Sequence, residues 1–147
     1  MQKAECKMQN DKRESKHPRD LRMRTKAFAL ESIRFVKSMP RSNVTDVIGR
    51  QLLRAATSVA ANYRAACRAR SRKEFIAKLG IVLEEADESQ FWLEMVEESG
   101  ELGGERVRPL HAEAGELVAI TVTSIQTASG RRRNSAFIIQ HSALKCS

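Results

Sequence analysis

Residues 44–68, VTDVIGRQLLRAATSVAANYRAACR, decide how this chain folds. Ile48, Leu52, Ala55, Val59, Asn62 and Ala66 are spaced four, three, four, three, four, which puts them on one line of a helix. A second line, Leu53, Ala56, Ala60, Tyr63 and Cys67, runs beside the first, so the helix has a broad face to bury against more than one neighbour. The alanines permit close approach, and Arg50, Arg54, Arg64 and Arg68 mark the face left to water. Asn62 interrupts the apolar line. An unpaired amide there costs about 1–3 kcal/mol, so it needs a partner, and Glu84, Glu88 and Ser58 are the candidates for a contact that fixes register.

Downstream, Ser71 and Glu74 have the spacing of a capping box that opens a helix running to about residue 98. Its inward line is Phe75, Leu79, Val82, Ala86, Ser89, Leu93 and Val96. Gly100, Gly103 and Gly104 end it, and Pro109 near the start of residues 108–128 opens another, with Leu110, Ala114, Leu117, Thr121, Ser124 and Ala128 inward. Residues 119–125 are rich in Ile, Val and Thr and would suit a strand, but the chain offers no second strand to pair with. Upstream, Asp20 has the chemistry of an N-cap, and Met23, Ala27, Leu30, Ile33 and Val36 recur at three or four residues before Pro40 stops the pattern. Residues 1–19 are charged and almost without apolar side chains, which predicts a disordered arm; residues 129–147, with Arg131, Arg132 and Arg133, are expected to be a basic tail.

Four helices joined by short connections predict one all-α domain over residues 20–128, an up-and-down antiparallel four-helix bundle. Few glycines and prolines, seven and three, fit that class. The chain lacks both the run of about 20 apolar residues that spans a bilayer and a hydrophobic N-terminal stretch, so we expect a cytoplasmic protein with no membrane partner. Cys6, Cys67 and Cys146 suggest neither a disulfide framework nor zinc.

The formal charge is +8. Antiparallel order gathers thirteen bases at one end: Arg19, Arg22, Arg24, Lys26, Arg64, Arg68, Arg70, Arg72, Lys73, Lys78 and Arg131 to Arg133. A nucleic-acid site is therefore expected at Arg64, Arg68, Arg70, Arg72, Lys73 and Lys78, reading phosphates because aromatics are sparse. The acids collect in the other half, and Glu94 and Glu98 are expected to meet Arg50 and Arg54 of a neighbouring copy. Neither a catalytic group nor a cofactor is expected. His17, His111 and His141 lack the Glu-x-x-His arrangement of di-iron bundles. Glu84, Glu85, Asp87, Glu88, Glu113 and Glu116 lack the repeated carboxylate pairs that would hold Mg²⁺, and no phosphate-binding glycine loop follows a strand.

The run Arg54-Ala55-Ala56-Thr57-Ser58-Val59-Ala60-Ala61-Asn62, the helix opening Ser71-Arg72-Lys73-Glu74-Phe75 and the stretch 84–92 resemble the bacterial four-helix bundle family called 23S ribosomal RNA intervening-sequence proteins. The likeness covers about residues 20–128. Members commonly carry Glu three residues after the Asn, where this chain has Ala65. The resemblance implies a homopentameric ring without catalytic activity. It also implies kinship with the accessory protein of diversity-generating retroelements, which binds nucleic acid and a reverse transcriptase. Two functions are consistent with all of this: an oligomer that binds RNA or DNA through its basic end, or an adaptor for a protein partner such as a reverse transcriptase, with the charges holding subunits together.

Overall fold

The computed structural model describes residues 18–130 of the chain, with side chains described from residue 21 onward. Four α-helices follow one another: α1 Pro18–Lys37, α2 Asn43–Ala66, α3 Arg72–Glu98 and α4 Gly104–Ala128. The intervening stretches 38–42, 67–71 and 99–103 are each five residues long, too short for anything but a reversal, so successive helices run antiparallel. α2 packs along α1 and α3, and α3 along α4; α1 closes the bundle against α4 only sparsely, and α1 and α3, like α2 and α4, lie across the diagonal of the bundle from each other. The all-α, up-and-down bundle is what the sequence predicts.

The main α2 and α3 lines are buried as the spacing requires, Asn62 and Phe75 only in part; on the second α2 line Ala56 and Tyr63 are buried, Leu53 and Ala60 half-buried, and Cys67, just past the helix end, is exposed. Leu52, Val59, Leu79, Val82, Leu93 and Leu117 have lost essentially all their exposure, each gaining about 1.5–3 kcal/mol from transfer out of water. Tyr63 joins them, and burial, reinforced by Cys67 one turn later, pushes its hydroxyl up to about 12, so it stays neutral in the core.

α1 is rotated from the expected face. Met23 and Leu30 are exposed; the buried line is Thr25, Phe28, Ser32, Phe35 and Met39. Two polar residues sit on it because their hydroxyls need nothing from outside the helix: Thr25 Oγ1 donates to the Arg22 carbonyl at 3.2 Å and Ser32 Oγ to the Phe28 carbonyl at 2.9 Å. The same device recurs at Ser89, which donates to Glu85, and at Thr121, which donates to Leu117. In the β-branched stretch of α4 it lets Thr121 be buried within the helix, while Thr123 makes the same bond to Ala119 on the exposed side.

The helix ends differ in detail from expectation. α1 starts at Pro18, a residue suited to a first helical position, so Asp20 lies inside the helix rather than capping it. α2 opens with a capping box at Ser42 and Thr45, each side chain accepting from the other's backbone N–H. At α3 only half the expected box forms: Ser71 accepts from Glu74 N at 3.0 Å, while the Glu74 carboxylate reaches past Ser71 to Arg70 N at 2.9 Å. α4 starts at Gly104, which leaves Pro109 inside the helix with no N–H to offer the Glu105 carbonyl. The arm at residues 1–17 and the tail at residues 131–147 lie outside the described residues.

Candidate nucleic-acid interface

The turn between α2 and α3 builds a compact basic corner. Cys67 N donates to the Tyr63 carbonyl to close α2, Arg68 N and Ala69 N donate to Ala65 and Ala66 in a tighter last turn, and Ser71 starts α3 four residues after Cys67. The chain reverses so quickly that Arg64, Arg68, Arg70, Arg72 and Lys73 share one end of the bundle; all five are exposed, and Lys78 is half-buried one turn further along α3. Glu74 is the acid beside them, and its carboxylate is occupied by Arg70 N, with the Arg70 guanidinium 4.0 Å away and 92% exposed. An ion pair so open to water contributes little, so Arg70 keeps its charge for another partner.

Arg72 is different. Its Nε donates to the carbonyl of Ala128, tying α3 to the end of α4. Cationic side chains at the carbonyl ends of α2 and α4 are favoured by the helix dipoles, so part of this cluster stabilises the bundle itself. Helix starts and helix ends alternate at this end, so the dipoles largely cancel, and attraction for an anion rests on the side chains.

The charge separation is smaller than chain order alone predicts. Arg24 is turned along the bundle to Glu113, 89 residues away, in a two-pronged ion pair with Nε–Oε1 at 2.6 Å and Nη2–Oε2 at 2.9 Å. The opposite end carries bases among its acids: Arg106 donates to Ser38 Oγ at 2.5 Å and Arg108 lies 3.8 Å from Glu97. Arg22 and Lys26 remain exposed near the basic corner; the side chain of Arg19 and Arg131 to Arg133 fall outside the described residues.

The residues expected at subunit contacts have these surroundings. Arg50 and Glu98 are exposed. Arg54 lies close enough to Glu85 of α3 to favour its ionised form. Glu94 meets His111 Nε2 of α4 at 3.0 Å, with Gln90 Nε2 3.3 Å from the same nitrogen.

Asn62 is half-buried and donates from Nδ2 to the Ser58 carbonyl at 2.9 Å, one turn back on its own helix. Glu84 is exposed and Glu88 accepts from the Trp92 indole N–H at 3.1 Å. Trp92 packs on the core with Phe91 edge-on, ring centroids 5.0 Å apart.

Glu85 has no counterpart among the expected sites. Its Oε2 is buried without a hydrogen-bond partner, and burial, together with Glu88 and Glu84 against the opposing pull of Arg54, raises its carboxyl above the ordinary 4.5. The signal in the sequence was that Glu85 lies next to Ala86 and four residues before Ser89 on the inward line of α3, at the edge of the face that meets α2.

Among the described residues no group of three or more His, Cys, Asp or Glu could hold a metal ion, and no helix is long and apolar enough to cross a membrane.

The chain is similar to a crystal structure from Bacteroides thetaiotaomicron VPI-5482, a protein with unknown function from the S23 ribosomal protein family. The two share 29% identity and superpose with a TM-score of 0.68 over 72% of this chain and 98% of that one. No curated protein matches it. The family model described as 23S rRNA-intervening sequence protein matches residues 19–123, which span all of α2 and α3 and most of α1 and α4. The chain belongs to the 23S rRNA-intervening sequence protein family.

Proposed function

We propose that this protein is a non-enzymatic nucleic-acid-binding bundle that takes phosphates at the corner formed by α2, the turn 67–71 and α3. The observation that carries the reading is the exposure of Arg64, Arg68, Arg70 and Lys73 together at one end, with Glu74, the acid beside them among the side chains described, already occupied by backbone. Such a cluster neutralises phosphates and releases counterions, so binding is steeply salt-dependent and weakly dependent on sequence. Long, exposed arginines and a lysine suit a backbone of variable shape better than a fixed small ligand. Of the described aromatics near this corner, Tyr63 is buried and Phe75 is half-buried with its ring packed on the core, and Phe91 and Trp92 lie further along α3, so contacts here are carried by the charged side chains and not by stacked bases.

The test reverses Arg68, Arg70 and Lys73 to Glu together and leaves Arg72, which holds α4, in place. Titration with single-stranded RNA, duplex RNA and duplex DNA at two salt concentrations should show the affinity falling at least tenfold, with a shallower salt slope and unchanged helix content. A triple variant that binds with the wild-type slope makes the adaptor function the better reading.

A further inference from the structure

The two grooves that flank α1 at the end opposite the basic corner differ in how their charges are used. In the groove against α4, Arg34 is held by Glu31 and Arg106 by Ser38 Oγ, so both arginines already have partners. The groove against α2 is a cleft of about 480 Å³, floored by Val36, Met39, Gly49 and Leu53 and rimmed by Lys37, Arg41 and Arg50. All three cations are exposed, and among the described residues none has a hydrogen-bond or ion-pair partner for its side chain. The acid on this rim, Asp46, sits in the first turn of α2, where the helix dipole favours it, and it pairs with none of them.

Local structure holds the cleft in shape. Gly49 brings no side chain to the floor, which stays open although α1 comes close: a Cβ added there would meet Val36 Cγ1 at 2.9 Å. The turn 38–42 is fixed from the start of α2, with Thr45 Oγ1 donating to the Pro40 carbonyl at 2.6 Å and accepting from Ser42 N at 2.9 Å, so the backbone is pinned on both sides of Arg41. Antiparallel packing sets Val36 opposite Gly49 and therefore Ile33, one turn back, opposite Leu53. Both are half-buried, and the apolar floor continues along the valley between the two helices.

A valley of this kind is the seat that an amphipathic helix takes with its apolar face down. Phosphates gain nothing from an apolar floor, whereas carboxylates that flank large apolar side chains use floor and rim together, and the unpaired cations select that sign of charge. We propose that this cleft docks an acidic amphipathic helix of a protein partner, its apolar side chains on Val36, Met39 and Leu53 and its carboxylates on Lys37, Arg41 and Arg50. The site is separate from the phosphate-binding corner, since Arg50 lies about 24 Å along α2 from the helix end at Ala66.

The probe is a dye-labelled synthetic helix with Glu on one face and Leu on the other, followed by fluorescence anisotropy. It should bind the wild type, and Lys37→Glu, Arg41→Glu and Arg50→Glu combined should weaken it by about tenfold or more, because rim charges set encounter and selectivity. The Arg68, Arg70 and Lys73 triple variant, which reverses as many charges, should bind the peptide as the wild type does, and a peptide with Ser in place of every Leu should not bind. All three cleft positions are exposed, so circular dichroism and light scattering should show wild-type helix content and mass. A wild type that ignores the peptide, a cleft variant that binds it as well, or equal binding of the Ser peptide would each overturn the proposal. RNA affinity that falls as far in the cleft variant as in the corner variant would make the cleft a second phosphate site, and a changed mass would assign the three bases to assembly; either result also overturns it. Peptide and RNA are lost through different variants, so failure of this contact and failure of nucleic-acid binding are separately visible.

Discussion

Glu85 shows what one carboxylate does when a helix carries four acids, Glu84, Glu85, Asp87 and Glu88, within five residues. Its raised carboxyl means the folded chain holds that proton more tightly than the unfolded chain does. The resulting stabilisation is complete below about 4.5, the ordinary carboxyl value, and is lost as pH rises through the higher folded value. Glu85→Gln should therefore raise the melting temperature at pH 7 and flatten its dependence between pH 4 and 7, by less than the roughly 4 °C that about 1 kcal/mol gives in a domain of this size. Thermal scans at several pH values check it, and a lower melting temperature at pH 7 would mean the charge is needed against Arg54. The individual residues of the basic corner were legible because they are adjacent in sequence across one short turn. Arg24 was not, since only the packing of α1 on α4 brings it to Glu113. Asn62 was visible as a seam residue with Ser58 among its candidate partners, but the bond goes to the Ser58 carbonyl within the same helix and not across to Glu84 or Glu88.

At the scale of the elements, α2 and α3 could be read because their buried lines are almost wholly apolar. α1 misled because Thr25 and Ser32 occupy its inner line while Met23 and Leu30 stand outside, so periodicity traced the wrong stripe. Hydroxyls satisfied by their own helix make Thr and Ser acceptable core residues, and no hydropathy pattern distinguishes them from surface ones. Two glycines separate helix propensity from packing. Gly80 has open space where a Cβ would go, so Gly80→Ala should stabilise the fold by about 1 kcal/mol. At Gly49 an added Cβ would meet Val36 Cγ1 at 2.9 Å, a stiff β-branched side chain on α1. Overpacking of about 1–3 kcal/mol should cancel or exceed the propensity gain there. Urea midpoints of the two variants decide it: Gly80→Ala above wild type, Gly49→Ala at or below it. Equal gains would show that Val36 yields freely.

For the molecule as a whole, the order of packing sets the order of opening. α2 and α3 have a neighbour on each side along most of their length, whereas α1 leans on α2 and meets α4 at few points. Amide hydrogen exchange should accordingly show α1 opening first, with residues 21–37 exchanging faster than 79–96 in the absence of denaturant. Uniform protection across both would mean that the fold opens only globally.

An even number of helices joined by reversals of equal length has one more effect. Pro18 at the head of α1 and Ala128 at the foot of α4 come out on the same side as the turn 67–71, while the turns 38–42 and 99–103 are on the other. A handle joined directly ahead of Pro18 or after Ala128 is thereby tethered beside the arginines and would compete with, or shield, whatever they hold. A loop grafted into residues 99–103 would be held about 40 Å away, the length of a helix the size of α3. That turn, and not the head of α1 or the foot of α4, is the place to attach a label meant to report on the protein without touching what it binds.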